Sequence, residues 1–223
     1  GYEQPAQKLA GDYGINNHQK YPEYAQPNLM LTNHDLVRFG DLIQRAPHLG
    51  YGPSNPDYWK RHKAAFSFMA AYTGPITIYY GDEIGEQVEG YVNDQDSVEG
   101  EVIYDDHASR DGGEVSGFTS QEEDLKNYVS ELMTMRKNHP ALWNGDYEFL
   151  VNNDDIYSVL KTDPDTGEKI VYILNAGTSQ TTVSVSGIGG SDLEDIISGD
   201  TINGSGDYQI PVDGLSGRFL LVK

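Results

Sequence analysis

Two short apolar runs, separated by two segments with helical periodicity, constrain the possible fold of this chain most strongly. The first run is Asn28–Leu31, and the second is the β-branched and aromatic run Ile76–Tyr80, which ends at a glycine. Between them, Leu36–Ala46 and Asp57–Thr73 have the periodicity and end signals of helices. This order predicts a right-handed βαβ unit whose two strands pair in parallel.

The first run continues into the polar residues Thr32-Asn33-His34-Asp35. An imidazole and a carboxylate therefore follow each other where a strand of an α/β barrel would end, and such barrels carry their catalytic groups at that edge. Asp35 also directly precedes the predicted helix at Leu36, so it could instead be an N-cap residue. One carboxylate with one histidine lacks the second and third acidic groups that carboxylate-based catalysis at such an edge would need.

The sequence pattern changes near Gly145. Before it, Ser120-Gln121-Glu122-Glu123 has the pattern of a capping box and begins a helix with one buried face that ends at His139-Pro140. After it come short runs typical of an antiparallel sandwich. We therefore predict two domains, residues 1–144 and 145–223. The predicted strands are Tyr147–Val151, Ile156–Thr162, Lys169–Asn175, Thr181–Ser186, Tyr208–Val212 and Arg218–Lys223.

The charge balance excludes several classes of partner. Lysine and arginine number 15 against 35 acidic residues, so the net charge of −20 argues against nucleic acid and against an anionic membrane. The absence of cysteine excludes disulfides and leaves the compartment open, and we expect an extracytoplasmic location, periplasmic or secreted. The chain begins at Gly1 rather than at methionine, and we expect it to be part of a longer gene product.

Three segments resemble the α-amylase superfamily of glycoside hydrolases. Leu31–Asp35 looks like the last conserved segment of that family, and Gly74–Gly85 is similar to its eighth barrel strand and the following turn. Leu132–Leu142 resembles its last barrel helix. The resemblance implies an α/β plus all-β fold: the C-terminal part of a (β/α)8 TIM barrel in residues 1–144, followed by a small antiparallel β-sandwich domain.

The resemblance also implies roles for individual residues. Asp35 matches the catalytic acidic residue that stabilises the oxocarbenium-like transition state, and His34 matches the histidine that hydrogen-bonds the same sugar. Asn33 leads the motif, and we place it among the substrate-binding residues, chiefly as a support for the strand end. Arg110 lies where the family often has an arginine followed by Pro-Met and a Trp, so we expect it to contact substrate, although Asp111-Gly112-Gly113 departs from that pattern.

The family's nucleophile and general acid/base lie on two earlier strands that we do not find in this chain. We therefore expect the chain to contribute one part of an active site for an α-glucan or a maltooligosaccharide, and to be inactive alone. A noncatalytic carbohydrate-binding or scaffold module is the alternative. An incomplete barrel would expose strand edges, so we expect that the chain can associate with another copy of itself.

No cofactor is required by this chemistry, but the sequence contains a candidate calcium loop. The acidic stretch from Asn93 to Glu101 places Asp94 and Asp96 at alternate positions, as hard oxygen ligands are placed in calcium loops. It lacks the glycine and the distal bidentate glutamate of an EF-hand, so a solvated acidic loop is the competing interpretation.

Overall fold

A computed structural model describes residues 4–11, 21–22, 24–46, 49–88 and 109–223 of the chain. All statements about structure below concern these residues. Within them, no helix is long and apolar enough to cross a membrane.

The predicted parallel strand pair is present, but it is short. Strand β1 (Leu29–Met30) lies parallel to β2 (Ile76–Thr77), with Leu29 opposite Ile76. Helices α1 (Phe39–Arg45) and α2 (Pro56–Ala71) lie between them in the sequence. The strand–helix–strand order is therefore confirmed, whereas each regular strand is only two residues long.

Helix α1 begins later than predicted, and this settles the alternative role of Asp35. Arg38, not Asp35, occupies the N-cap position, and no side chain caps this end of the helix. Helix α2 is capped by Asn55, whose Oδ1 accepts the Asp57 N–H at 2.9 Å. Asp35 therefore does not cap helix α1.

The long helix α3 (Ser120–Asn138) carries a capping box one residue earlier than predicted. Thr119 is the N-cap: its Oγ1 accepts the Glu122 N–H, and Glu122 Oε2 accepts the Thr119 N–H at 2.6 Å. The prediction with Ser120 and Glu123 was wrong because Thr119 and Ser120 can both cap and acidic residues follow both at the right spacing. The helix ends before His139 and is followed by the short helix α4 (Pro140–Asn144).

The remaining chain forms two antiparallel sheets. A six-stranded sheet has the order β3-β4-β5-β10-β7-β8, and β6 pairs with β9 in a separate two-stranded sheet. The predicted strands are all present, within two residues at each end, and two further strands, β7 and β8, occur where the sequence is rich in Gly and Asp. The bounds are β3 Asp146–Asn152, β4 Ile156–Thr162, β5 Lys169–Asn175, β6 Thr181–Ser186, β7 Asp192–Asp195, β8 Thr201–Asn203, β9 Asp207–Val212 and β10 Ser216–Val222.

Alternating residues of the large sheet enter two different hydrophobic clusters. In β5, Tyr172 and Leu174 pack in a cluster with α2 and α3, whereas Val171 and Ile173 pack in a cluster with β6 and β9. This is the period of two expected for a strand buried on both faces. The six-stranded sheet is therefore covered by helices on one face and by the small sheet on the other.

Candidate active site

The predicted catalytic segment leaves β1 in a tight turn. The backbone N–H of Asp35 donates to Asn33 Oδ1 at 2.8 Å, and the Asn33 amide contacts Met30 Sδ at 3.1 Å. The side chain of Asn33 is therefore engaged with its own segment, as expected for a residue that supports the strand end. His34 Nε2 lies 3.3 Å from Asp35 Oδ2, and both side chains are more than half exposed.

Arg110 comes from a distant part of the chain and lies directly against this turn. Its Nη2 donates to Asp35 Oδ1 at 2.8 Å, and its Nε donates to the His34 carbonyl at 3.0 Å. The neighbouring Ser109 Oγ donates to the Asn33 carbonyl at 2.6 Å. The structure thus brings together Asn33, His34, Asp35 and Arg110, and it gives Arg110 a direct ionic contact with the candidate catalytic carboxylate.

A buried arginine beneath this turn was not singled out from the sequence. The Arg38 side chain is fully buried, and its Nη2 donates to Asp111 Oδ1 at 2.7 Å. Its Nη1 donates to the carbonyl of Tyr80, the last residue of the run Ile76–Tyr80. The only sequence signal was an arginine three residues after Asp35 inside a predicted amphipathic helix, which usually indicates a solvated face.

Two tyrosine rings flank the Arg38 guanidinium. Its central carbon lies 4.9 Å from the centroid of the Tyr79 ring and 4.8 Å from that of the Tyr80 ring, within cation–π range. Tyr80 Oη also donates to the Asp111 carbonyl at 2.7 Å. Both rings therefore pack around the buried guanidinium.

Acidic side chains surround Arg38 in excess. Asp82 Oδ1 lies 3.7 Å from its Nη1, and Glu86 Oε2 lies 3.1 Å from its Nη2. Burial raises the pKa of Asp82 and of nearby Asp41 to about 6, and burial raises the pKa of Glu86 to about 7. Because burial disfavours the charged form, these three carboxyl groups have pKa values closer to neutral pH than ordinary carboxyl groups, even with the Arg38 guanidinium beside them.

The candidate calcium ligands Asp94 and Asp96 lie outside the described residues, and calcium binding there stays a prediction. In the part of the chain that the structure describes, no group of three or more His, Asp or Glu side chains has the arrangement needed to hold a metal ion.

The sequence is similar to curated proteins that are named as an amylase and as a cyclomaltodextrinase. It is 31% identical over 182 residues to a Beta/alpha-amylase of Paenibacillus polymyxa, a match that covers 81% of this chain and 13% of that protein. It is 29% identical over 116 residues to a cyclomaltodextrinase of Geobacillus thermopakistaniensis, covering 52% of this chain and 17% of that enzyme. No protein-family model matches the chain.

Solved structures resemble nearly the whole chain. Structures of AmyP, one with maltose and one of a variant with maltotriose, superpose with a TM-score of 0.89 at 40% identity, covering 99% of this chain and 45% of AmyP. An α-amylase of Geobacillus thermoleovorans superposes with a TM-score of 0.71 at 20% identity, covering 93% of this chain and 41% of that one, which shows the fold alone. The chain thus spans less than half the length of the proteins that it matches.

Proposed function

Because this chain belongs with the α-amylase family of glycoside hydrolases, whose C-terminal portion it matches, we propose that it supplies one catalytic carboxylate to an α-glucan-active retaining enzyme. In this proposal Asp35 stabilises the transition state, and His34 hydrogen-bonds the sugar at the cleavage site. The rest of the site comes from parts of the enzyme that this chain does not span.

The observation that carries the proposal is the pairing of Asp35 with Arg110 at the end of β1, 2.8 Å apart and about half exposed. A carboxylate that is fixed and open to solvent can accept hydrogen bonds from sugar hydroxyls. Such bonds strengthen as the sugar ring flattens, and only interactions that are stronger in the transition state raise the catalytic rate. The complexes of AmyP with maltose and maltotriose support a maltooligosaccharide as the ligand class.

The same geometry supports an incomplete site. Retaining hydrolysis needs a nucleophile and a general acid/base in addition to Asp35. The neighbouring carboxylates of Asp82, Glu86 and Asp111 face the buried Arg38 guanidinium, so they are poorly placed to attack a sugar or protonate a leaving group. We therefore propose that the 223-residue chain alone does not turn over α-glucans.

Self-association belongs to the same proposal. Among the described residues β1 pairs only with β2, and an apolar cavity of about 650 Å³ lies against β1. Residues that line this cavity include Leu29, Leu31, Phe39, Leu42, Ile43 and Phe68. An open strand edge beside an apolar cavity favours contact with another strand, which a second copy of the chain can provide.

The catalytic role of Asp35 is tested by Asp35→Asn in the full-length enzyme. We expect turnover of maltotriose to fall by roughly 100-fold or more, because the amide cannot supply the negative charge that the transition state requires. The exposed Asp207→Asn on β9 is the matched control and should leave turnover unchanged. Near wild-type turnover by Asp35→Asn would favour the noncatalytic carbohydrate-binding or scaffold alternative.

A further inference from the structure

We propose that Arg38 is a positioning residue for Asp35: from its buried site it anchors Asp111, and the segment Ser109–Asp111 in turn holds the Asn33–Asp35 turn in place. This inference rests on the proposed function of Asp35. It adds that the orientation of the carboxylate depends on a residue that touches no part of the candidate ligand site.

The first step is the anchor. Arg38 is fully buried and faces three carboxylates, and the shortest of these three contacts is the hydrogen bond that its Nη2 donates to Asp111 Oδ1 at 2.7 Å. Asp82 and Glu86 belong to the turn after β2, whereas Asp111 belongs to the separate segment that reaches Asp35. A charge-assisted hydrogen bond from a buried guanidinium is among the stronger fixed contacts available to a loop.

The second step is the set of contacts from Ser109 and Arg110 to the Asn33–Asp35 turn, which we call the clamp. Consecutive residues of one segment contact consecutive residues of the other: Ser109 Oγ donates to the Asn33 carbonyl, and Arg110 donates both to the His34 carbonyl and to the Asp35 carboxylate. Because these contacts lie side by side, Arg110 can meet Asp35 only while the backbone of residues 109–111 keeps its position.

The third step is the support from the end of β2. The hydroxyl of Tyr80 donates to the Asp111 carbonyl at 2.7 Å and lies 3.3 Å from the Ser109 carbonyl. The Tyr79 hydroxyl lies 3.4 Å from the same Ser109 carbonyl. The two rings that support this segment also pack on the Arg38 guanidinium, so Arg38, both tyrosines and the clamp form one connected arrangement.

The arrangement predicts opposite electrostatic effects from two kinds of change at Asp111. Removing its charge while the clamp stays in place would take a negative charge away from Asp35 and lower the titration midpoint of that carboxyl. Releasing the clamp would take Arg110 away and raise the midpoint, because a nearby cation favours the ionised carboxylate. Among the described residues, the titratable side chain of His34 also faces Asp35, with its Nε2 3.3 Å from Asp35 Oδ2, and it is present in both cases.

The test follows the Asp35 carboxyl carbon by NMR during pH titration of the purified chain. Arg38→Lys keeps the charge but loses the planar fork that reaches Asp111, and Asp111→Ala removes the anchored carboxylate. Both should raise the Asp35 midpoint, by about one pH unit for full loss of the Arg110 contact. Asp111→Asn is the matched control. The side-chain oxygen of Asn can still accept a hydrogen bond from Arg38, so the Asp35 midpoint in this variant should stay the same or fall.

An unchanged or lowered midpoint in folded Asp111→Ala would overturn the inference. Asp111 is on a partly exposed segment, so this variant keeps the test decisive even where Arg38→Lys fails to fold. Tyr80→Phe, which removes only the hydroxyl that holds the Asp111 carbonyl, should give a smaller upward shift, and no shift would count against the clamp. The readout needs no turnover, so an active Asp35→Asn enzyme would refute the catalytic role and leave the positioning result intact.

Discussion

At the scale of single residues, buried titratable groups beneath the candidate site respond to pH in opposite directions. Burial raises the pKa of Asp41 to about 6 from its ordinary value of 3.8, and one of its carboxylate oxygens has no hydrogen-bond partner among the described residues. Burial lowers the pKa of His62 to about 4, and its Nδ1 lies 2.9 Å from the Tyr58 carbonyl. The protonated form of Asp41 and the neutral form of His62 are therefore the ones that the fold favours.

The Asp41 contribution predicts a measurable pH dependence of stability. Since the folded-state pKa is raised, this group stabilises the fold fully below pH 3.8, and the contribution is lost as the pH rises to about 6. Asp41→Asn removes that loss, so its free energy of unfolding relative to wild type should rise by about 2 kcal/mol between pH 4.5 and pH 7. Urea denaturation at the two pH values measures it, and a difference that does not change with pH would contradict the assignment.

The contribution of His62 to stability has the opposite pH dependence. Its folded-state pKa is lowered, so the stability that it contributes is present above about pH 6.5 and is lost as the pH falls towards 4. The stability of the wild-type chain below neutral pH therefore depends on both Asp41 and His62. The difference in stability between Asp41→Asn and wild type isolates the Asp41 contribution.

At the scale of elements, the C-terminal end of α2 is capped by two buried basic side chains from other elements. Arg136 of α3 donates to the carbonyls of Ala70 and Tyr72, and Lys161 of β4 donates to the carbonyl of Ala71. Both side chains also donate to the Leu142 carbonyl, and Lys161 donates to Thr73 Oγ1. These bonds satisfy carbonyls that a helix end leaves unpaired, and they join α2, α3 and β4 at one point.

Lys161→Met should destabilise the fold because it removes the side-chain donor to the buried Ala71 carbonyl and one of the two side-chain donors to the Leu142 carbonyl. We expect a loss of about 2 to 4 kcal/mol in the free energy of unfolding, measured by denaturant titration. Lys169→Met, at an exposed position that starts the adjacent strand β5, should change it by less than about 0.5 kcal/mol. Equal losses in the free energy of unfolding for the two substitutions would show that capping by Lys161 does not stabilise the fold.

The elements differ in how much of them could be predicted from the sequence. Strands β4, β5 and β6 were predicted at the residues observed, because their β-branched and aromatic residues run between clear turn signals. Strand β7 was missed because Leu193 is its only buried apolar residue, and its pairing with β10 cannot be read locally. Helix α1 begins at Phe39 rather than at Leu36 because Arg38 is drawn into the buried cluster instead of the helix.

At the scale of the whole molecule, the sequence resemblance named the members of the candidate site, but not how they are held. Asn33, His34, Asp35 and Arg110 were predicted individually, and the structure brings them together. The contact of Arg38 with Asp111 joins residues far apart in the chain, and no local pattern encodes it. Long-range contacts of buried charges were thus the part of the site that sequence reasoning could not supply.

Within the described part of the chain, β1 pairs on one edge only, and this predicts concentration-dependent self-association of the isolated chain. We expect light scattering coupled to size exclusion to report dimers or larger species. Met30→Lys places a charge on that edge and should return the chain to a monomer, because charged edges resist strand pairing. Phe149→Lys, an exposed position on the edge strand β3 of the large sheet, is the control and should still associate. A monomeric wild-type chain would refute this prediction.

The most direct test of the central claim, that this chain carries one carboxylate of an α-glucan site completed by other residues, is an assay of sugar release from maltotriose. It compares the isolated chain, a chimera in which the chain replaces the matching 45% of AmyP, and the same chimera with Asp35→Asn. We predict no turnover by the chain, turnover by the chimera, and a loss of roughly 100-fold or more in the Asp35→Asn chimera. Robust turnover by the isolated chain, or equal turnover by the two chimeras, would contradict the account.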